Sequence, residues 1–140
     1  LSAAVPADPA AFRVLVVDDD RVNGLLFEQA CRLSNETLAI EVAVSGAEAL
    51  ALARDWQPQA LVIDLHLPDT DGLALVAPLR AVLQAPCPAW LCSADDAQTL
   101  HEAAAQAGFD GCWSKPLLVP AMLAALEGAA RRQREPARGP

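Results

Sequence analysis

Val62-Ile63-Asp64-Leu65-His66-Leu67-Pro68-Asp69-Thr70-Asp71-Gly72 decides the fold: a hydrophobic strand ending on a carboxylate, an acidic loop around a proline, then a glycine opening a helical pattern. Open α/β sheets carry their chemistry at the carboxyl ends of strands, where the loops leave room for a ligand. Asp64 stands at such an end and is the expected reactive group.

The pattern repeats on either side of this stretch. Residues 12–17 form a continuous apolar strand apart from Arg13, and it stops at Asp18-Asp19-Asp20. A helix follows in which Val22, Leu25, Leu26, Ala30 and Leu33 fall on one face at steps of three and four. Gly24 inside it costs about 1 kcal/mol relative to alanine, so this helix must rely on packing. Residues 39–44 are a second strand, with Ile40, Val42 and Val44 alternating. Ser45 and Glu48 have capping-box spacing ahead of a helix that stops near Asp55, before Pro58. Residues 60–63 are the third strand, and Thr70 or Asp71 caps a helix from Gly72 to about Leu83. Pro78 is expected to kink that helix or end it early, because proline removes a hydrogen bond and clashes with the carbonyl four residues back.

Residues 89–92 form a fourth strand ending at Ser93, and Asp95 or Asp96 starts a helix carrying Leu100, Ala103, Ala104 and Ala107. Gly108 suits its C-terminus. Residues 111–114 are a fifth strand, closed by Lys115-Pro116, and a last helix runs from about Val119 to about Arg132. Five strands alternating with five helices imply βαβ connections and a parallel sheet covered on both faces.

Composition narrows the function. The chain has 140 residues, 54% of them hydrophobic, enough for one domain with a real core. A net charge of −8 argues against direct nucleic-acid binding, which needs basic surface to displace counterions. No apolar run reaches the roughly 18 residues of a membrane span. Cys31, Cys87, Cys92 and Cys112 show no CxxC spacing and are expected to be buried reduced thiols in a cytoplasmic protein.

All the strand ends lie on one edge of a parallel sheet, so Asp18, Asp19, Asp64, Ser93 and Lys115 can converge. Crowded carboxylates repel one another, and a hard divalent cation such as Mg²⁺ relieves that repulsion. Lys115, the only lysine in the chain, can pair with Asp64 at rest and with phosphoryl oxygens after reaction. The Ser93 hydroxyl and the Ala94 N–H can donate to the same oxygens.

This set resembles the receiver domain of two-component response regulators. The residues that carry the resemblance are residues 14–20, Asp64 with Pro68 and Asp71-Gly72, Ser93-Ala94, and Ser114-Lys115-Pro116. It extends from Phe12 to about Arg132, leaving residues 1–11 as a flexible leader and 133–140 as a basic tail or linker. It implies the flavodoxin-like doubly wound fold, a five-stranded parallel sheet of order 2-1-3-4-5 flanked by five helices. Asp64 would be the phosphoacceptor, taking a phosphoryl group from a phosphohistidine on a sensor histidine kinase or histidine phosphotransfer protein. Asp18, Asp19, Asp64 and the backbone carbonyl of His66 would hold Mg²⁺, Asp19 directly and Asp18 through water. Ser93 and Lys115 would grip the phosphoryl group. Such domains catalyse their own phosphorylation and dephosphorylation, with no free small-molecule substrate as their main role. A downstream effector domain or protein would read the state, and a homodimer could form through the fourth-helix, fifth-strand and fifth-helix face. Arg21 and Asn23 resemble residues of receivers attached to hybrid sensor kinases.

One departure stands out. The family usually has an aromatic residue three positions before the lysine, and here that residue is Cys112. The switch region of Ser93, Cys112 and Trp113 must therefore work differently, and a pseudo-receiver that only binds proteins is the alternative. A hydrolase acting on free substrates is disfavoured, because short loops leave no room for a substrate cap. His66, two residues after Asp64, is either a solvated loop histidine or placed to influence hydrolysis through its side chain.

Overall fold

The computed structural model describes residues 11–34, 37–94, 98–115 and 119–134. Five strands alternate with five helices: β1 (Phe12–Val17), α1 (Arg21–Ser34), β2 (Leu38–Ala43), α2 (Gly46–Trp56), β3 (Ala60–Asp64), α3 (Gly72–Val82), β4 (Ala89–Ser93), α4 (Gln98–Ala107), β5 (Gly111–Ser114) and α5 (Val119–Arg134). The strands form one parallel sheet of order β2-β1-β3-β4-β5, the expected doubly wound arrangement. The expected caps from Asp95 or Asp96, most of the leader, Pro116 and the end of the tail lie outside the described residues.

Both faces of the sheet are buried, which is why its strands are nearly continuous apolar runs. Successive side chains alternate between two layers. Val14, Val16, Val62, Trp90 and Cys92 pack with Phe27, Cys31, Met122 and Leu126 from α1 and α5. Leu15, Val17, Leu61, Ile63 and Leu91 pack with Ala49, Ala53, Leu75, Val76, Leu79 and Ala104 from α2, α3 and α4.

Two helices show what local pattern leaves open. In α1 the apolar residues Val22, Leu25, Leu26 and Leu33 are exposed, and Gly24, Phe27 and Cys31 face the sheet instead. The cause is close packing: a Cβ on Gly24 would lie 2.5 Å from Val42 Cγ1, so the helix turns its smallest residue toward β2. In α3 the early end at Pro78 does not occur, and the helix continues to Val82. Pro78 sits on the exposed side, as does Ala74, whose carbonyl loses its helical partner to the proline. Leu75, Val76 and Leu79 bury the opposite side and hold the helix to the sheet.

The other punctuation behaves as expected. Ser45 caps α2, its hydroxyl accepting from the Glu48 N–H at 3.1 Å, and Glu48 accepts from the Val44 N–H. Asp71 caps α3 by accepting from the Ala74 N–H at 2.8 Å. Gly108 takes a φ of +98° after α4, a conformation that glycine adopts without strain. Arg13, the one charged residue of β1, donates to the carbonyls of Trp56 and Gln57 at the end of α2. At the sheet's far edge, Trp90 on β4 and Trp113 on β5 stack with centroids 5.3 Å apart and planes 3° from parallel. Among the described residues, no helix is long and apolar enough to cross a membrane.

Candidate functional site

Register explains how the acids meet. Val17 of β1 pairs with Ile63 of β3, so Asp18 and Asp64 follow side by side on adjacent strands. The sheet alternation turns both toward the α1 and α5 layer. This is the switch point of the topology, where the chain leaves β1 and β3 in opposite directions and opens a crevice.

The three acids after β1 do different work. Asp18 is buried, and its carboxylate accepts from the Asp20 N–H at 2.9 Å while its own N–H donates to the Ala43 carbonyl. Asp20 accepts from the Val22 N–H at 3.0 Å and so starts α1. Asp19 stays exposed, with its carboxylate turned to the cluster. Oxygens from Asp18, Asp19 and Asp64 all lie within 4.8 Å of one another, close enough to share one cation.

Lys115 completes the cluster. Its Nζ is 3.1 Å from Asp64 Oδ1 and 3.5 Å from Asp18 Oδ2. Its backbone N–H donates to the Ser93 carbonyl at 2.8 Å, which fixes where the side chain departs. Three carboxylates against one ammonium leave an excess of two negative charges, the charge of a divalent cation. The electrostatics agree. Burial pushes the Asp64 carboxyl above its ordinary value, Lys115 pulls it down without prevailing, and Asp18 and Asp19 add to the rise. Burial opposes the Lys115 ammonium, but its hydrogen bond to Asp64 and the charges of Asp18 and Asp64 prevail and raise its pKa. The donor set, all hard oxygen, suits Mg²⁺ rather than zinc.

The remaining expected residues lie at graded distances. Ser93 is buried at the end of β4, one residue past the Asp64–Cys92 pair, and Ala94 beyond it is exposed. His66 is exposed in the loop after Asp64, where it bridges antiparallel to Asp71. Cys112 and Trp113 stand on β5 away from the acids and on opposite faces, Cys112 against the Leu91 layer and Trp113 against the Trp90 layer. The four cysteines carry no disulfide. Burial raises the Cys31 and Cys87 thiols to about 12 and pushes Cys92 up as well, so these three are inert packing groups.

Sequence reasoning missed Asp69, taken there as a loop residue. Its two carboxylate oxygens accept from the Gly46 N–H at 2.8 Å and the Ala47 N–H at 3.0 Å, at the start of α2. Those bonds lower its pKa. Local sequence holds no signal for a contact between segments so far apart.

The fold and the site together define a doubly wound α/β protein with an acid–lysine cluster at its switch point. The model of the response regulator receiver domain matches residues 14–127. The transcriptional regulatory protein PrrA of Mycobacterium leprae is 35% identical over 121 residues, covering 86% of this chain and 51% of that protein. The response regulator MprA of Mycobacterium sp. (strain KMS) is 34% identical over 128 residues, covering 91% of this chain and 54% of its own length. Among solved structures, the receiver domain of the Francisella response regulator 1452 superposes with a TM-score of 0.77 at 26% identity, covering 87% of this chain and 98% of that one. A Burkholderia pseudomallei response regulator, solved with a phosphorylated aspartic acid, calcium ion and citrate, gives 0.72 at 28% identity, covering 87% and 70%. The chain belongs to the response regulator receiver domain family of two-component signalling. It spans about half the length of the relatives named here.

Proposed function

We propose that Asp64 is the phosphoacceptor, that Asp18, Asp19, Asp64 and the His66 carbonyl hold Mg²⁺, and that Ser93 and Lys115 bind the transferred group. The observation that carries this is the Lys115–Asp64 pair beside Asp18 and Asp19, three acids with one ammonium at a switch-point crevice. An Asp64 oxygen attacks the phosphorus of a phosphohistidine. A P–O bond forms, the P–N bond breaks, and the imidazole leaves with the electron pair and takes a proton from solvent. Mg²⁺ held by these residues would supply charge neutralisation between the acids and the phosphoryl oxygens. Lys115, whose partner oxygen on Asp64 is altered by the new bond, turns to the phosphoryl oxygens, and the Ser93 hydroxyl donates to them. Water later hydrolyses the acyl phosphate and restores the resting pair.

The donor is a sensor histidine kinase or a histidine phosphotransfer protein in the cytoplasm. The exposed apolar side of α1 supports its docking there: Val22 lies two residues past Asp20, and Leu25, Leu26 and Leu33 extend the stripe away from the acids. The α4, β5 and α5 face is left for a downstream effector or a second copy. A binding module that is never phosphorylated would have no use for this cluster, and that alternative is not supported. The test is intact-protein mass spectrometry after acetyl phosphate and Mg²⁺. Wild type gains one phosphoryl group and Asp64→Asn gains none; an equal gain in Asp64→Asn removes Asp64 from the role.

A further inference from the structure

The loop after Asp64 has to hold the phosphoacceptor and the His66 carbonyl in place while the chain turns from β3 into α3. Most of its ties are to its own strand neighbour or to itself. Leu65 N–H donates to the Cys92 carbonyl at 2.9 Å, Gly72 N–H to the Leu65 carbonyl at 2.7 Å, and Leu67 N–H to the Thr70 carbonyl at 3.2 Å. Asp69 reaches further. Its carboxylate takes the N–H groups of both Gly46 and Ala47, two donors in the first turn of α2 that no helical carbonyl can serve. A negative group is favoured there by the helix dipole as well. The Ser45 hydroxyl is engaged elsewhere, with the Glu48 N–H. Gly46 is what allows the approach, because a Cβ there would lie 2.8 Å from Thr70 Cγ2 and 3.3 Å from Asp69 Oδ1.

The contact closes a ring around the acid cluster. Asp18 N–H is held by the Ala43 carbonyl at the end of β2. Ser45 and α2 follow at once, Asp69 joins the start of α2 to the loop, and the loop leads back to Asp64. The strand ends that bear Asp18 and Asp64 are thus braced a second time, outside the sheet, through one side chain.

We propose that Asp69 is a positioning residue that holds the loop after Asp64 against α2 and thereby sets the geometry of the cation site. The inference rests on the proposed function, since it assigns Asp69 to the same site. Two readouts test it: Mg²⁺ affinity by calorimetry, and amide hydrogen exchange over residues 65–71 without metal. Asp69→Ala should weaken Mg²⁺ binding about tenfold, as loss of a supporting group around a metal site does, and should speed exchange in the loop. Asp69→Asn, which keeps one accepting oxygen, should fall between. Gly46→Ala attacks the contact from the other side and should reproduce Asp69→Ala. Ser45→Ala is the matched control, because it removes a cap from the same helix end without touching Asp69; it should lower thermal stability and leave Mg²⁺ affinity unchanged. Wild-type affinity and wild-type loop exchange in Asp69→Ala overturn the proposal, and so does a Ser45→Ala affinity as weak as that of Asp69→Ala. Should Asp69→Ala fail to fold, Asp69→Asn and Gly46→Ala decide the matter by the same criteria. A wild type that binds no Mg²⁺ refutes the proposed function instead, and the metal-free exchange still judges the anchor.

Discussion

Replacing Gly72 by alanine would place a Cβ 2.4 Å from the backbone carbonyl oxygen of Asp64 and 3.0 Å from both Ile63 Cγ2 and Leu91 Cδ1. Gly72 opens α3 and donates its N–H to the Leu65 carbonyl at 2.7 Å, so it cannot back away without losing that bond. Reaching even 3.0 Å, the closest approach a Cβ tolerates, requires a shift of roughly 0.6 Å, and the phosphoacceptor's own peptide is the group in the way. Overpacking of this kind costs about 1–3 kcal/mol, and the helix propensity gained over glycine returns at most about 1 kcal/mol. Because the obstacle is backbone, the cost belongs at the upper end, about 2–3 kcal/mol, and the expected net loss is about 1–2 kcal/mol, read as a lower urea midpoint at unchanged slope. Function should suffer more than stability. A misplacement of about 1 Å can cost about a hundredfold in rate, so a shift of roughly 0.6 Å predicts a loss on the order of tenfold in acetyl phosphate loading, followed by intact mass. A Gly72→Ala protein with wild-type midpoint and wild-type loading rate would refute the close approach and the reasoning built on it.

Lys115→Ala removes the only influence that lowers the Asp64 carboxyl and leaves burial, Asp18 and Asp19 to raise it, so its titration followed by carboxyl NMR should move further up from the wild-type position. Because the folded value lies above the ordinary 3.8, Asp64 contributes stability below that pH which is lost as pH rises through the folded value; the metal-free variant should lose stability over a window extending higher than in wild type, and a downward move of the titration would refute this. Leu26→Glu, at an exposed site on α1, should change stability by no more than about 0.5 kcal/mol and leave acetyl phosphate loading intact, while slowing transfer from a phosphohistidine donor; unchanged transfer removes α1 from docking. Gly24→Ala should destabilise by about 1–3 kcal/mol despite better helix propensity, and Val42→Ala added to it should cost less than Val42→Ala alone; a higher urea midpoint for Gly24→Ala contradicts the packing at β2.

The strands were legible because both faces of the sheet are buried, and each apolar run stops where an acid, serine or lysine begins. Strand order followed from the βαβ alternation and the family resemblance, and with it came the meeting of Asp18, Asp19, Asp64 and Lys115. α1 shows where local pattern misleads. Its leucines have helical spacing, yet Gly24, Phe27 and Cys31 have it too, and the choice between the faces is made by Val42 on another strand. Pro78 left two outcomes open for a related reason: its local cost is real, but that the helix runs on past it is set by Leu75, Val76 and Leu79 on the far side. Asp69 and the tryptophan pair needed three-dimensional register. Trp90 pairs with Gly111, so Trp113 two residues along shares its face while Cys112 does not.

That stacked pair also gives the chain a label of its own. Trp90 sits on the strand that ends in Ser93, and Trp113 two residues before Lys115, so both indoles lie just ahead of the groups that would close on a phosphoryl oxygen. The chain has three tryptophans and no tyrosine, and the third, Trp56, packs in the opposite layer at the end of α2. Ultraviolet emission is thus weighted toward one strand pair, and any sliding of β5 against β4 would unstack the rings and change its colour and yield without a dye attached.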